Sequence, residues 1–166
     1  MVTTVQTRSL RFPGAILARG FWLYVWEIIT ADGQTVLYVG RTGDSSTPNA
    51  QSPFNRLSQH LGKNPNANAL RRHLENAGID PEKCRSFSMA ACGPILEEQT
   101  DMESHKPCRD VMAALEKTLA DALNLSGCMV LNKVYCKTPV DAERLSMVLD
   151  SFTPHFPKLN GGIRPS

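Results

Sequence analysis

FWLYVWEIITADGQTVLYVGR, residues 21–41, decides the fold. Its first half, residues 21–30, is dense in aromatic and β-branched residues, the types that fill strands. Ala31-Asp32-Gly33 is a turn signal. Residues 35–41 repeat the strand composition. Two such runs around a glycine-bearing turn predict an antiparallel hairpin. The hairpin carries Tyr24 on one strand and Tyr38, Gly40 and Arg41 on the other. Whether the two tyrosines share a face depends on a register that composition does not fix.

Outward from the hairpin, helices dominate. Ser52-Pro53 suits a helix start, with serine as N-cap and proline in the first turn. PFNRLSQHL, residues 53–61, is that helix, stopped by Gly62. ALRRHLENA, residues 69–77, places Leu70, Leu74 and Ala77 on one face and ends at Gly78. KCRSFSMAA, residues 83–91, reads as a third strand. Residues 92–106 are acidic and aperiodic and read as a long loop or insertion, the kind of segment that carries specificity. From Pro107 to residue 124, Val111, Leu115, Leu119 and Ala122 recur with the helical period. A short extended run crosses Asn132. Thr138, as N-cap before Pro139, opens a last helix to about Asp150. The tail to residue 166 is rich in proline and glycine and reads as irregular. The expected architecture is α+β, a small antiparallel three-stranded sheet flanked by helices. It is organised as an arm over 1–20, a domain over 21–137 and a C-terminal helix and tail over 138–166 packed on that domain.

The chain's 166 residues fit one domain with a real core. No stretch approaches the ~20 apolar residues of a membrane span, and the N-terminus lacks the apolar segment of a signal peptide. Five scattered cysteines form no C-x-x-C pair, and none has a histidine at zinc-finger spacing. They read as reduced, buried thiols of a cytoplasmic or nucleoid-associated protein. Net charge is +2 but uneven. Residues 1–73 hold eight basic side chains against three acidic ones, and the remainder is acidic. A basic half suits a polyanion-binding face.

Several polar residues are not needed for packing. Arg56 and His60 stand four apart on one helix and share a face. Glu116 lies at the edge of the apolar stripe of the long helix. Asn132 sits among apolar residues in VLNKV. Lys63, Arg71 and Arg72, with His73, form a basic group near the second helix, suited to tracking a phosphate backbone.

In this order the residues resemble the GIY-YIG nuclease superfamily. WLYV at 22–25 stands for the first motif and YVGR at 38–41 for the second. Arg56 and His60 stand for the helix arginine and histidine, Glu116 for the lone acidic metal ligand, and LN at 131–132 for the asparagine. Trp22 and Leu23 replace the family's Gly-Ile. The resemblance implies an endonuclease that hydrolyses phosphodiester bonds in nucleic acid, with DNA as the expected partner. It also implies one Mg²⁺ or Mn²⁺ held by Glu116. Tyr24 would then be the base or water-orienting group, its phenolate favoured by a nearby cation. His60 competes for that role because its pKa ordinarily lies near working pH. Arg56 and Arg41 would neutralise the scissile phosphate, Tyr38 would position an oxygen, and Asn132 would support the site through hydrogen bonds. The alternative is a non-catalytic nucleic-acid- or protein-binding domain on the same scaffold.

Overall fold

The structure, a computed structural model, describes residues 4–161. Strand β1 (Phe21–Ile29) and strand β2 (Thr35–Arg41) form the hairpin, followed by helix α1 (Pro53–Leu61) and helix α2 (Ala69–Asn76). Strand β3 (Ser86–Leu96), helix α3 (Met102–Leu125) and helix α4 (Ala142–Phe152) complete the fold. The sheet is antiparallel with order β2-β1-β3. No helix among the described residues is long and apolar enough to cross a membrane.

The sheet is covered on both faces, which explains why FWLYVWEII is apolar almost without a break rather than alternating. Tyr24, Trp26, Ile28, Val36 and Tyr38 pack with Leu57, Leu70 and Leu74 of α1 and α2. Phe21, Leu23, Val25, Leu37 and Val39 pack with Met112, Leu115 and Leu119 of α3 and with Val148 and Phe152 of α4. Each large side chain so buried contributes roughly 1.5–3 kcal/mol before the entropy of ordering it. Trp26 stands opposite Tyr38 and Tyr24 opposite Gly40, so the register puts both tyrosines on the α1 face.

Three boundaries differ from the sequence expectation. Residues 92–106 are not a loop or insertion. β3 runs on to Leu96, and α3 begins at Met102 rather than at Pro107. Asp101 is the N-cap, accepting from the Ser104 N–H at 2.9 Å, and Pro107 lies inside the helix at the cost of one intrahelical bond. The first turns of α3 lack apolar periodicity because they are exposed apart from His105 and the half-buried Met102. Likewise α4 is capped by Asp141, whose carboxylate accepts from the Arg144 N–H at 2.8 Å, and not by Thr138.

The outer edge of β2 is closed by residues 129–132. The Leu37 N–H donates to Met129 O and the Leu131 N–H to Leu37 O, each at 2.8 Å. Asn132 then continues the ladder with its side chain. Its Nδ2 donates to Val39 O at 2.7 Å, and its Oδ1 accepts from the Val39 N–H at 3.0 Å. The carboxamide thus stands in for a strand backbone and satisfies a fully buried residue.

Candidate active site

A cavity of about 210 Å³ opens beside the C-terminal half of β2. Tyr24, Tyr38, Arg41, Arg56, His60 and Glu116 all line it, with Gly40, Asp44 and Gln59. Two larger depressions of about 510 and 500 Å³ lie elsewhere, and none of the candidate catalytic or phosphate-binding residues lines either. The hairpin supplies the tyrosines and Arg41, α1 supplies Arg56 and His60, and α3 supplies Glu116.

Gly40 makes room for the arrangement. A Cβ at this position would lie 2.4–2.6 Å from the ring carbons and hydroxyl of Tyr24. The Tyr24 ring therefore lies across the backbone of β2, where its hydroxyl shares a 2.6 Å hydrogen bond with His60 Nε2 and lies 3.3 Å from Arg41 O. His60 sits between the two tyrosines, its ring centroid 5.4 Å from that of Tyr24 and 5.3 Å from that of Tyr38. It is 5% exposed, and its Nδ1 has no partner among the described residues. His73 closes the row, 5.6 Å from Tyr38.

Burial governs the proton affinities. It pushes the Tyr24 hydroxyl well above the usual tyrosine value, and the positive charge of Arg56 offsets only part of this. Tyr38 is pushed up to about 12, by burial first and by the charge of Glu116 second. His60 is lowered from 6.5 to about 4, by burial and then by Arg56. Both outcomes correct the sequence expectation. Tyr24 is held as the neutral phenol rather than as a cation-favoured phenolate, and His60 is a neutral imidazole well below its ordinary range.

The charged groups form two pairs. Arg41 Nη1 donates to Glu116 Oε2, and Arg56 Nη2 donates to Asp44 Oδ1. Arg56 also donates to Gln59 Oε1 at 3.3 Å. Burial raises the Glu116 carboxyl above the usual glutamate value against the opposing pull of Arg41. Asp44 escaped the sequence reading because its only signal was a place in a polar loop. Gly43 before it has φ +77°, the left-handed region that favours glycine, and a Cβ there would meet the Phe21 ring at 2.3 Å.

The basic group near α2 divides. Arg71 is not available to a phosphate backbone, which corrects that expectation. It is 8% exposed and donates to Gly62 O at 2.6 Å, to Leu61 O at 3.2 Å and to Glu82 at 2.8 Å. It ties the end of α1 to α2 and holds the Glu82 carboxyl down to about 2. Arg72 and Lys63 are exposed. Arg72 donates to Pro65 O at 3.2 Å, and its charge slightly lowers the proton affinity of Tyr38, although it does not itself line the cavity.

The donor set limits what metal the cavity suits. Among the described residues, no group of three or more His, Cys, Asp or Glu side chains is placed to hold an ion. A fully caged ion does not fit. An ion that takes one or two carboxylate oxygens and keeps its waters, as Mg²⁺ does, fits Glu116, whose Oε1 has no hydrogen-bond partner among the described residues. The five cysteines are unpaired thiols, each half-buried rather than fully buried. No protein-family model, curated protein or solved structure matches the chain.

Proposed function

We propose that the protein is a metal-dependent endonuclease of the GIY-YIG kind, hydrolysing phosphodiester bonds in nucleic acid, with DNA as the foremost substrate. One observation carries the reading. Six residues from three separate segments, the hairpin, α1 and α3, each of a type this chemistry needs, line a single cavity. Packing alone does not require two tyrosines, two arginines, a histidine and a glutamate to meet there.

Bound Mg²⁺ or Mn²⁺, held by Glu116, supplies Lewis-acid stabilisation of the phosphate and of the leaving 3′-oxygen. The chain's own groups do the rest. Arg41 and Arg56 present guanidinium N–H groups to the phosphate oxygens, and the buried Nε of each has no acceptor among the described residues. Tyr38 positions an oxygen at the cavity wall. Tyr24 orients the attacking water and takes its proton as it passes its own to His60 Nε2, across the 2.6 Å hydrogen bond. Asn132 touches no substrate and holds the strand that carries Tyr38 and Arg41.

The test incubates wild-type and Glu116→Ala protein with supercoiled plasmid, flapped duplex, single-stranded DNA and RNA in Mg²⁺, Mn²⁺ or EDTA. Cutting by wild type in metal alone, lost in the variant, is expected. Undiminished cutting by Glu116→Ala overturns the assignment. Failure of wild type to cut any substrate favours the non-catalytic binding domain.

A further inference from the structure

Four charged groups line the cavity, and they cancel. Arg41 is matched by Glu116 and Arg56 by Asp44. Burial keeps Tyr24 and Tyr38 protonated and His60 neutral. A site with no net charge draws a polyanion weakly, although it carries two guanidinium groups.

The two pairs are not equivalent. The Glu116 side chain is 10% exposed and stands on α3, fixed by the core below it. The Asp44 side chain is 44% exposed and belongs to a loop that starts at Gly43. The neighbours Ser46, Thr47 and Asn49 are exposed, and the hydrogen bonds of Ser45 and Asn49 stay within the loop. Arg56 is as buried as Arg41, but the Asp44 carboxylate faces water when released, so this pair costs less to open than the Arg41–Glu116 pair. A carboxylate on a guanidinium also has the charge and the paired oxygens of a phosphate group.

We infer that Asp44 is a latch: it occupies, on Arg56, the place that a backbone phosphate of the substrate takes, and it must leave for that phosphate to bind. The inference rests on the proposed function, because it supposes that Arg56 receives a phosphate. With Asp44 in place the site is closed to free anions. A polyanion displaces it, since neighbouring phosphates bound by the exposed Lys63, just past α1, and Arg72, on α2, hold the chain while the exchange occurs. The charge of Asp44 also raises the proton affinity of Tyr24, Tyr38, His60 and Glu116, so its departure is felt throughout the cavity.

The test is metal-free binding of a fluorescent DNA oligonucleotide, read by anisotropy in EDTA across a salt series, for wild type, Asp44→Asn and Arg56→Gln. Asp44→Asn keeps the size and polarity of the side chain and removes its charge. It should bind roughly three- to tenfold more tightly than wild type. Its plot of log affinity against log salt should steepen by about 0.9, because Arg56 then exchanges counterions for phosphate rather than Asp44 for phosphate. Arg56→Gln should weaken binding. Asp44→Asn binding no more tightly than wild type, with the slope unchanged, overturns the latch while Arg56→Gln still reports a phosphate site. If Arg56→Gln binds as wild type does, the phosphate site itself fails, and the latch with it.

Discussion

Acidification should expose His60 as a stability sensor. The imidazole is lowered from 6.5 to about 4 in the folded protein, with burial as the main cause. Between those values the unfolded chain binds a proton that the folded chain does not, so the contribution of His60 is fully present above pH 6.5 and is lost as pH falls toward 4. Integrating between pH 7 and pH 5 gives a loss of about 2 kcal/mol from this one group. Glu116 acts with the opposite sign. Its raised carboxyl takes up a proton more readily in the folded state, so lowering the pH relieves a cost there. The contribution of His60 is therefore isolated by comparing wild type with His60→Gln, which removes titration at position 60 and keeps a side chain able to bond the Tyr24 hydroxyl. Urea unfolding of both proteins at pH 7 and pH 5 is the assay. Wild type should lose about 2 kcal/mol more than the variant over that interval, a midpoint difference of roughly 1 M at the m-value of a small domain. Parallel losses in the two proteins would show that His60 titrates normally and that the Tyr24–His60 pair is open to water.

Gly40→Ala should destabilise the protein by about 1–3 kcal/mol and, on the proposed function, reduce cleavage roughly 100-fold, because the new methyl group would lie 2.4 Å from the Tyr24 ring and push its hydroxyl off His60. Thermal unfolding and single-turnover cleavage check the two halves, and a fully active Gly40→Ala refutes the account of the site. Asn132→Ala strips Val39, a fully buried residue, of both its side-chain partners and should cost about 2–3 kcal/mol in chemical denaturation. Asn132→Asp should not restore it, since the carboxylate cannot donate to Val39 O.

The hairpin and the first two helices were legible because their signals are local. Strand composition, Ser52-Pro53, Gly62 and Gly78 each act within a few residues, and α1 begins and ends where those residues place it. The start of α3 was not legible. Its first turns are held by the Asp101 cap and carry no apolar stripe, while Gly93-Pro94 and the acids at 97 and 98 imitate a loop. The candidate site was legible as a set of residue types but not as a geometry. Register alone decides that Tyr24 and Tyr38 share a face, and the tertiary contact with α1 alone decides that Tyr24 meets His60. Arg71 shows the converse. A basic residue on a predicted helix face looks available for phosphate, and only packing shows that it is spent on the carbonyls at the end of α1.

Burial also decides which group of the pair receives a proton. Arg56 is the cation that pulls the Tyr24 hydroxyl toward ionisation, and the same charge lowers the proton affinity of His60. On the proposed reading, the substrate's phosphate takes Arg56 and neutralises it. The phenolate of Tyr24 then loses its one local support, and the imidazole loses the charge that opposed its protonation. Phosphate binding thus moves the two groups in opposite senses, away from a tyrosinate base and toward a histidine able to hold the proton. The hydrogen bond between them is already formed, so the transfer requires no rearrangement of either ring. Asp44 already exerts part of this effect while it is paired with Arg56, since its charge raises the proton affinity of His60, but burial outweighs it and holds the imidazole near 4.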